Sequence, residues 1–339
     1  MILKERIESL IQLGKELTPE NERLQAVVNR TYHNNSWFTV ENQWKAIEAI
    51  AHNFLKRDIL ESWIASYNIP DEPIHMKSVC LVLAGNIPLV GFHDILCVFV
   101  AGHKAKIKAS DKDPFLIPFI IQNLTEINPL VKEYFELVQG IMKDFDTVIA
   151  TGSNNSARYF EAYFGKYPHI IRKNRNAVAV LQGNETADEL MKLGEDVFTY
   201  FGLGCRNVSK IYLPRNYEFN PLLEALHEYR EIVLHDKYKN NFDYQFTLLI
   251  LNKVKYQGNG CILMIEIPEI ASPIALLHYE YYDDFEMLQL ELNGRKDDIQ
   301  CVVSNTPVEG LPSFKFGEAQ KPSINDYADG VDTMAFLLG

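Results

Sequence analysis

The chain of 339 residues carries 33 lysines and arginines against 45 aspartates and glutamates, a formal net charge of −12. A composition that is 47% hydrophobic and 23% charged excludes a disordered or fibrous protein. The acidic balance argues against sequence-independent nucleic-acid binding, which needs clustered cations to neutralise phosphates.

The N-terminal part, up to about residue 70, is predicted to be helical. Leu3, Ile7 and Leu10 share one helical face, and charges interrupt the apolar residues of the first segment, so we expect an amphipathic helix rather than a signal peptide. No stretch of the chain reaches the roughly 18–20 uninterrupted apolar residues of a membrane span. The five cysteines show no C-x-x-C spacing, which argues against a disulfide framework or a zinc site and favours the cytoplasm.

A strand–turn–helix–strand unit is predicted from residue 78 onward. Residues 78–84 form a continuous apolar run, which is typical of a strand buried on both faces. Gly85-Asn86-Ile87-Pro88 has turn composition, residues 90–101 suit a helix that Gly102 ends, and residues 105–108 suit the next strand. This order is a βαβ unit.

The alternation of helices and strands continues along the chain and favours an α/β fold. The further predicted helices cover residues 114–124, 129–142, 155–164 and 187–201, and the further strands cover residues 147–150, 177–181 and 209–213. The residues after 306, with Pro312 and Pro322, are expected to lie as a tail over another surface.

Two turns hold candidate functional residues. Gly152-Ser153 lies between a strand and a helix, where backbone N–H groups can hold a phosphate, although the same residues suit an ordinary turn. Cys205 lies in Gly202-Leu203-Gly204-Cys205-Arg206. It is either a thiolate activated beside Arg206 or a structural cysteine. No G-x-G-x-x-G motif, P-loop or metal-binding histidine pattern occurs.

Five turns, taken in order, resemble motifs of the aldehyde dehydrogenase superfamily. They are AGNIPL at 84–89 for P-W-N-F-P-L, KASD at 108–111 for K-P-S-E, TGS at 151–153 for T-G-S, GLGC at 202–205 for G-Q-x-C, and EIASPI at 269–274 for E-I-F-G-P-V. The acyl-CoA reductase family, typified by the fatty acid reductase of bacterial luminescence, is more similar still. That similarity covers residues 76–339 and is carried by GNIPLVGFHDIL, residues 108–114, FGLGCRNVSKIYLP and AQKPSINDYADGVDTMAFL.

The resemblance implies a fold and a domain order. The implied fold is α/β and aldehyde-dehydrogenase-like, with a Rossmann-type nucleotide-binding domain and an α/β catalytic domain. Residues 1–182 would hold the N-terminal helices and the nucleotide-binding domain, and residues 183–305 the catalytic domain. Residues 306–339 would pack on the core or on a partner subunit.

The resemblance also implies residue roles. Cys205 would be the nucleophile that takes an acyl group from a thioester, and the side-chain amide of Asn86 and the backbone N–H of Cys205 would hold the oxyanion. The implied cofactor-binding residues are Lys108 at the adenosine ribose, Ser110 in the same motif, Gly152 and Ser153 at the diphosphate, and Glu269 at the nicotinamide ribose.

Departures from the superfamily pattern refine the expected reaction. Hydrolytic members carry E-L-G-G where this chain has Ile171-Arg172-Lys173-Asn174. The glutamate that activates water is therefore missing. We accordingly expect reduction of an activated acyl group to an aldehyde. Ala157 replaces the second glycine of the diphosphate turn, which leaves that geometry open. Asp111 suits a ribose 2′-hydroxyl, as in NADH, and the neighbouring Lys112 suits a 2′-phosphate, as in NADPH, so these residues leave the choice of cofactor open. Membership of the family would favour NADPH.

The sequence thus predicts an NAD(P)H-dependent reductase of an acyl thioester, with a fatty acyl-CoA as the first expectation and a protein-bound acyl group as an open one. An acyl-protein synthetase partner and a homo-oligomer are implied by the family. Two alternatives remain: an acyl phosphate reductase of the same superfamily, and a non-catalytic scaffold that retains the fold.

Overall fold

The computed structural model describes residues 1–72 and 75–339. Two compact units divide the chain. The first unit consists of Met1–Asn174 and Pro322–Gly339, and the second consists of Arg175–Lys321.

The first unit begins with the expected helices. Two of them start at polar caps, because Asn21 accepts a hydrogen bond from the Leu24 amide and Thr39 accepts one from the Asn42 amide. Their apolar faces join the core of the first unit. The helices are α1 Leu3–Glu16, α2 Glu22–Asn34, α3 Val40–Asn53 and α4 Arg57–Ile64.

A five-stranded parallel sheet follows, with the order β3-β2-β1-β4-β5. Its strands are β1 Ser78–Val82, β2 Lys104–Lys108, β3 Phe135–Leu137, β4 Thr147–Thr151 and β5 His169–Arg172. Its helices are α5 Phe92–Val100, α6 Leu116–Ile127 and α7 Asn154–Phe164. From β1, the chain adds β2 and β3 on one side of the sheet and then β4 and β5 on the other side, so the strand order changes direction between β1 and β4. Open α/β sheets bind ligands beyond the carboxyl ends of the strands at such a switch point.

The helix predicted over residues 129–142 is wrong. A 3₁₀ helix at Pro129–Tyr134 leads instead into β3. Phe135 pairs in register with Ala105 of β2, and its ring centroid lies 5.2 Å from that of Phe99. Pairing at the sheet edge and aromatic packing override the local helical pattern, because propensity is a weak determinant beside tertiary contacts.

The second unit is built on a seven-stranded sheet with the order β12-β11-β6-β7-β10-β9-β8. Its strands are β6 Asn176–Val180, β7 Val208–Pro214, β8 Gln257–Gly258, β9 Leu263–Glu266, β10 Leu276–Tyr282, β11 Ile299–Val303 and β12 Ser313–Phe314. Its helices are α8 Ala187–Phe198, α9 Phe219–His227, α10 Asp236–Leu251 and α11 Phe285–Gly294, with short 3₁₀ helices at Thr199–Gly202 and Arg230–Leu234. All neighbouring strands are parallel except β8 and β9.

The two compact units meet in the sequence between residues 174 and 175, earlier than the expected domain boundary between 182 and 183. The reason is that β6 pairs with β7 and β11 of the second sheet. The expected tail is likewise divided, because β12 joins the second sheet whereas residues 322–339 join the first unit.

The last segment packs on the first unit through polar contacts as well as apolar ones. The segment ends in α12, Thr333–Leu338. The Trp63 Nε1 group donates to the Tyr327 hydroxyl at 2.8 Å. Arg172, buried and paired with Asp94, donates from Nη2 to Thr333 Oγ1 at 2.9 Å. In the part of the chain that the structure describes, no helix is both long and apolar enough to span a membrane.

Candidate functional site

The loop after β1 carries Asn86 and packs tightly on the loop after β2. A Cβ at Gly85 would lie 2.2 Å from Ser110 Oγ, so this close approach needs glycine. Asn86, which follows directly, is half-buried. The structure therefore brings Asn86 and Ser110 to neighbouring loops at the carboxyl ends of adjacent strands.

The loop after β2 is tied to the Asn86 loop by a buried carboxylate. Lys108 is the exposed last residue of β2, and the Ser110 carbonyl accepts from the Asp113 amide at 3.0 Å. Asp113 is only 4% exposed, and its Oδ2 accepts from the Leu89 amide at 3.0 Å. Burial raises the pKa of Asp113 to about 6, although bonds from backbone amides oppose the rise.

The turn between β4 and α7 carries Gly152 and Ser153. Ser153 is exposed, and its hydroxyl caps α7 by accepting from the Ser156 amide at 3.2 Å. A Cβ at Gly152 would lie 2.8 Å from Ser156 Cβ and 2.9 Å from the Phe160 ring. Glycine is therefore required at this turn, which sits beside the switch point and presents the start of α7.

In the second unit, Cys205 follows an unusual reversal of the chain. The predicted helix 187–201 is too long, because α8 ends at Phe198. Tyr200 and Phe201 then adopt left-handed conformations with φ of 55° and 59°, and Gly202 has φ of 77°. Such conformations in non-glycine residues cost energy and occur where surrounding structure enforces them. Cys205 itself is half-buried.

Asn207 holds the Cys205 turn in place. It is 1% exposed, and its Oδ1 accepts from the Gly204 amide at 2.8 Å. Its Nδ2 donates to the carbonyls of Asp196 at 3.0 Å and Thr199 at 2.8 Å. One side chain thus joins both ends of the segment that runs from α8 to Cys205.

The loop after β9 carries Glu269, whose side chain is exposed. Buried side chains hold its backbone. Lys210 Nζ donates to the Pro268 carbonyl at 2.8 Å, His278 Nδ1 donates to the Glu269 carbonyl at 2.8 Å, and Ser209 Oγ donates to the Ile270 carbonyl at 2.7 Å. Since Ser209 lies near the amino end of β7, this loop and the Cys205 turn reach the same end of that strand.

One of the side chains that hold this loop, Lys210, is charged and yet fully buried. Lys210 is 0% exposed and forms an ion pair with Glu280. Burial lowers the pKa of Lys210, and the hydrogen bond that Lys210 donates to Glu280 opposes that change. Burial also lowers the pKa of His278. A buried ammonium is costly unless it is paired and hydrogen-bonded, as Lys210 is.

The predicted residues thus fall into two groups, one in each unit. The first unit presents Asn86, Lys108, Ser110, Gly152 and Ser153 at the carboxyl ends of β1, β2 and β4, and the second presents Cys205 and Glu269. Sequence reasoning missed Asn207, Ser209, Lys210 and His278. Ser209 and Lys210 begin the strand predicted over residues 209–213, but no local pattern indicates that these polar side chains are buried. Among the described residues, no group of three or more metal-binding side chains comes together.

Comparison with curated proteins finds similarity to bacterial thioester reductases. The chain is 22% identical over 214 residues to long-chain acyl-protein thioester reductase 2 of Photobacterium leiognathi, covering 58% of this chain and 44% of that protein. It is 24% identical over 192 residues to the long-chain acyl-protein thioester reductase of Aliivibrio fischeri, covering 51% and 39%. The matched region therefore spans less than half the length of these relatives. No family model matches the chain.

Comparison with solved structures identifies the fold. Aldehyde dehydrogenase 21 from Physcomitrella patens, in complex with succinate, matches with a TM-score of 0.73 at 13% identity, covering 99% of this chain and 85% of that one. Aldehyde dehydrogenase C from Pseudomonas syringae, in complex with NAD⁺ and octanal, matches with a TM-score of 0.66 at 14% identity, covering 91% and 73%. The predicted aldehyde-dehydrogenase-like α/β fold is confirmed, as is the suspected resemblance to luminescence-type reductases.

Proposed function

We propose that this protein reduces an acyl thioester to an aldehyde with a reduced nicotinamide dinucleotide, through an acyl group held on Cys205. The observation that carries the proposal is the Cys205 turn, a half-buried thiol on a backbone reversal that Asn207 fixes. The similarity to long-chain acyl-protein thioester reductases supports the substrate class. The fold supports the oxidoreductase chemistry.

The first unit fits a dinucleotide. Its sheet has a switch point between β1 and β4, and the small residue at Gly152 keeps the start of α7 accessible. Lys108 and Ser153 add exposed donors at the strand ends. We propose that Lys108 and Ser110 bind the adenosine ribose, that Gly152 and Ser153 face the diphosphate, and that Glu269 of the second unit binds the nicotinamide ribose.

The reaction divides into two stages at Cys205. In the first, the Cys205 thiolate attacks the acyl carbonyl, forms a carbon–sulfur bond and displaces the donor thiol, which leaves as a thiolate and takes a proton from solvent. In the second, the chemistry that a bound reduced dinucleotide would supply is a hydride. Cys205 would hold the acyl carbon as a thioester for that hydride and would leave as a thiolate when the aldehyde forms. We propose that the Asn86 side-chain amide and the Cys205 backbone amide donate hydrogen bonds to the oxyanion. Each such donor is worth roughly 2.7–4 kcal/mol in known enzymes.

The residues also support reduction over hydrolysis. Ile171 in β5 occupies the position that matches the water-activating glutamate. The neighbouring Arg172 donates hydrogen bonds to Asp94 and Thr333. No carboxylate therefore stands at that position to deprotonate water. An acyl group on Cys205 would persist until hydride transfer.

The acyl donor and cofactor are finer points of the proposal. The named relatives act on acyl-protein thioesters, so we extend the expected fatty acyl-CoA substrate to a long acyl chain on a partner protein. We further propose that an acyl-protein synthetase supplies that chain, and that the enzyme works as a homo-oligomer. NADPH is proposed as the reductant, with NADH as the comparison.

The test is consumption of NADPH or NADH, followed by absorbance, with long-chain acyl-CoA, an acylated protein and an acyl phosphate as separate donors. Wild type should consume reductant with a thioester, and Cys205→Ala should lose more than about 10³-fold of that rate. Mass spectrometry should find the acyl adduct on wild type alone. Binding of the dinucleotide should survive in Cys205→Ala, which controls for misfolding.

Two outcomes would contradict the proposal. Turnover of an acyl phosphate alone would favour the acyl phosphate reductase. The absence of both an acyl adduct and dinucleotide binding in wild type would favour a scaffold that retains the fold.

A further inference from the structure

The loop that carries Glu269 has an unusual set of anchors. Three successive carbonyls, those of Pro268, Glu269 and Ile270, each accept a hydrogen bond from a side chain of another element. The first of these carbonyls also accepts from Arg295 Nη1 at 2.9 Å. Most loops satisfy their carbonyls with water or local turns.

The donors to these carbonyls come from the centre of the sheet of the second unit. Ser209 and Lys210 are in β7, and His278 is in β10, directly opposite Lys210 in register. Exposure is 6% for Ser209, 0% for Lys210 and 5% for His278. Polar groups this deep destabilise a sheet unless every hydrogen bond is made.

Side-chain anchoring restrains the loop more strongly than packing alone. The loop between β9 and β10 joins parallel strands, so it must cross back to the amino end of the sheet. A loop held by apolar contacts alone could shift along the sheet. A carbonyl that accepts a hydrogen bond of 2.7–2.8 Å from a buried donor is fixed in one position. The donors Ser209 and Lys210 lie only four and five residues after Cys205.

We infer that Ser209, Lys210 and His278 are positioning residues that hold the Glu269 loop in a fixed relation to the Cys205 turn. This inference rests on the proposed function and deepens it. Its consequence is that these side chains serve the reductive stage, in which cofactor ribose and thioester must be aligned. They leave the first stage, acyl transfer to Cys205, largely untouched.

The experiment separates the two stages in Ser209→Ala and Lys210→Met. Acylation of Cys205 without cofactor is followed by mass spectrometry, and reduction of the preformed acyl-enzyme is followed in a single turnover. We expect acylation within about threefold of wild type and reduction slowed on the order of 10- to 100-fold, the size of a small misalignment. The dissociation constant of the reduced dinucleotide should rise as well, and Lys210→Arg should restore part of the loss.

Tyr238→Phe is the matched control. The Tyr238 hydroxyl is buried and donates to the Cys261 carbonyl at 2.8 Å, so its loss also removes a buried bond to a backbone carbonyl in the same unit. The Cys261 carbonyl that it bonds lies outside the Glu269 loop. Equal slowing of reduction in Tyr238→Phe and Ser209→Ala, or equal slowing of both stages in Ser209→Ala, would overturn the inference.

Hydrogen exchange provides a readout that needs no turnover. Peptides covering residues 266–272 should exchange faster in Ser209→Ala and Lys210→Met than in wild type or Tyr238→Phe. Wild type that forms no acyl-enzyme would overturn the proposed function, and the exchange comparison would still decide whether these side chains fix the loop. Unchanged exchange in both variants would show that they do not.

Discussion

The two units hold their functional loops by different means. In the first unit, loops approach closely through glycine, as Gly85 does against Ser110, and the candidate binding groups Lys108 and Ser153 remain exposed. In the second unit, buried polar side chains hold the backbone around Cys205 and Glu269, as Asn207 and Lys210 do.

This difference matches the demands that we propose for each unit. A dinucleotide is long and charged, and it is bound by many modest contacts from exposed donors at strand ends. A nucleophile must be placed to a fraction of an ångström, since small misplacements are expensive in rate. Buried hydrogen bonds supply that placement, because a broken one leaves an unsatisfied group.

The largest expected effect comes from removing a buried anchor of the second unit. Asn207→Ala leaves the Gly204 amide and the carbonyls of Asp196 and Thr199 without their partner. We expect the free energy of unfolding to fall by about 3 kcal/mol. Ser153→Ala, which removes an exposed helix cap in the first unit, should cost only about 1 kcal/mol.

Urea unfolding followed by circular dichroism measures both variants. If Asn207→Ala and Ser153→Ala lose similar amounts of unfolding free energy, the proposed difference between the two units is contradicted. A normal rate of Cys205 alkylation in Asn207→Ala would further show that the turn keeps its shape without this side chain.

An intermediate effect is expected from adding a methyl group at Gly85, where two loops of the first unit are in close contact. A Cβ at Gly85 must displace Ser110, so Gly85→Ala should destabilise the first unit by about 2 kcal/mol and weaken dinucleotide binding. All three tryptophans, Trp37, Trp44 and Trp63, belong to this unit, so their fluorescence during urea unfolding reports on it. Gly339→Ala is the control in the same unit, since the nearest atom to a Cβ there is the Ala335 carbonyl oxygen at 3.6 Å, an ordinary contact. Equal stability of Gly85→Ala and wild type would contradict the tight contact.

The smallest step in stability, taken per pH unit, is expected at Asp113. This residue is the exception to the comparison, because it is a buried polar side chain in the first unit. Burial raises its pKa to about 6, so between about pH 4 and pH 6 the folded state keeps a proton that the unfolded chain has lost. Wild-type stability should therefore fall relative to Asp113→Asn as the pH rises, by about 1.4 kcal/mol per pH unit within that window. Unfolding free energies of both proteins across that range provide the test. Parallel curves would mean that Asp113 titrates normally.

The sequence was sufficient for features that depend on local pattern. The strand before Asn86, the helix that starts after Ser153 and the turn that holds Cys205 were predicted from apolar runs and turn residues, and the structure has each of them. The order of five short motifs was enough for the fold, which structural comparison confirmed.

Features that depend on distant partners could not be predicted. The ion pair of Lys210 joins residues 70 positions apart, and nothing near Lys210 indicates that it is buried. The strand at Phe135 is too short for a periodic signal and depends on Phe99. The left-handed Tyr200 and Phe201 extend an apolar helical pattern, so the end of α8 was missed.

The division of the first unit between two chain segments has a consequence for biosynthesis. Trp63, Arg172 and the core around them receive partners from residues 327–338, yet the whole second unit is translated in between. The Trp63 donor and its acceptor Tyr327 are separated by 264 positions. The second unit is one continuous stretch of chain and can therefore fold during translation. The first unit cannot complete its core until residues 322–339 have been synthesised. During that interval its unfinished core exposes apolar surface, the feature that makes partly folded chains prone to aggregation.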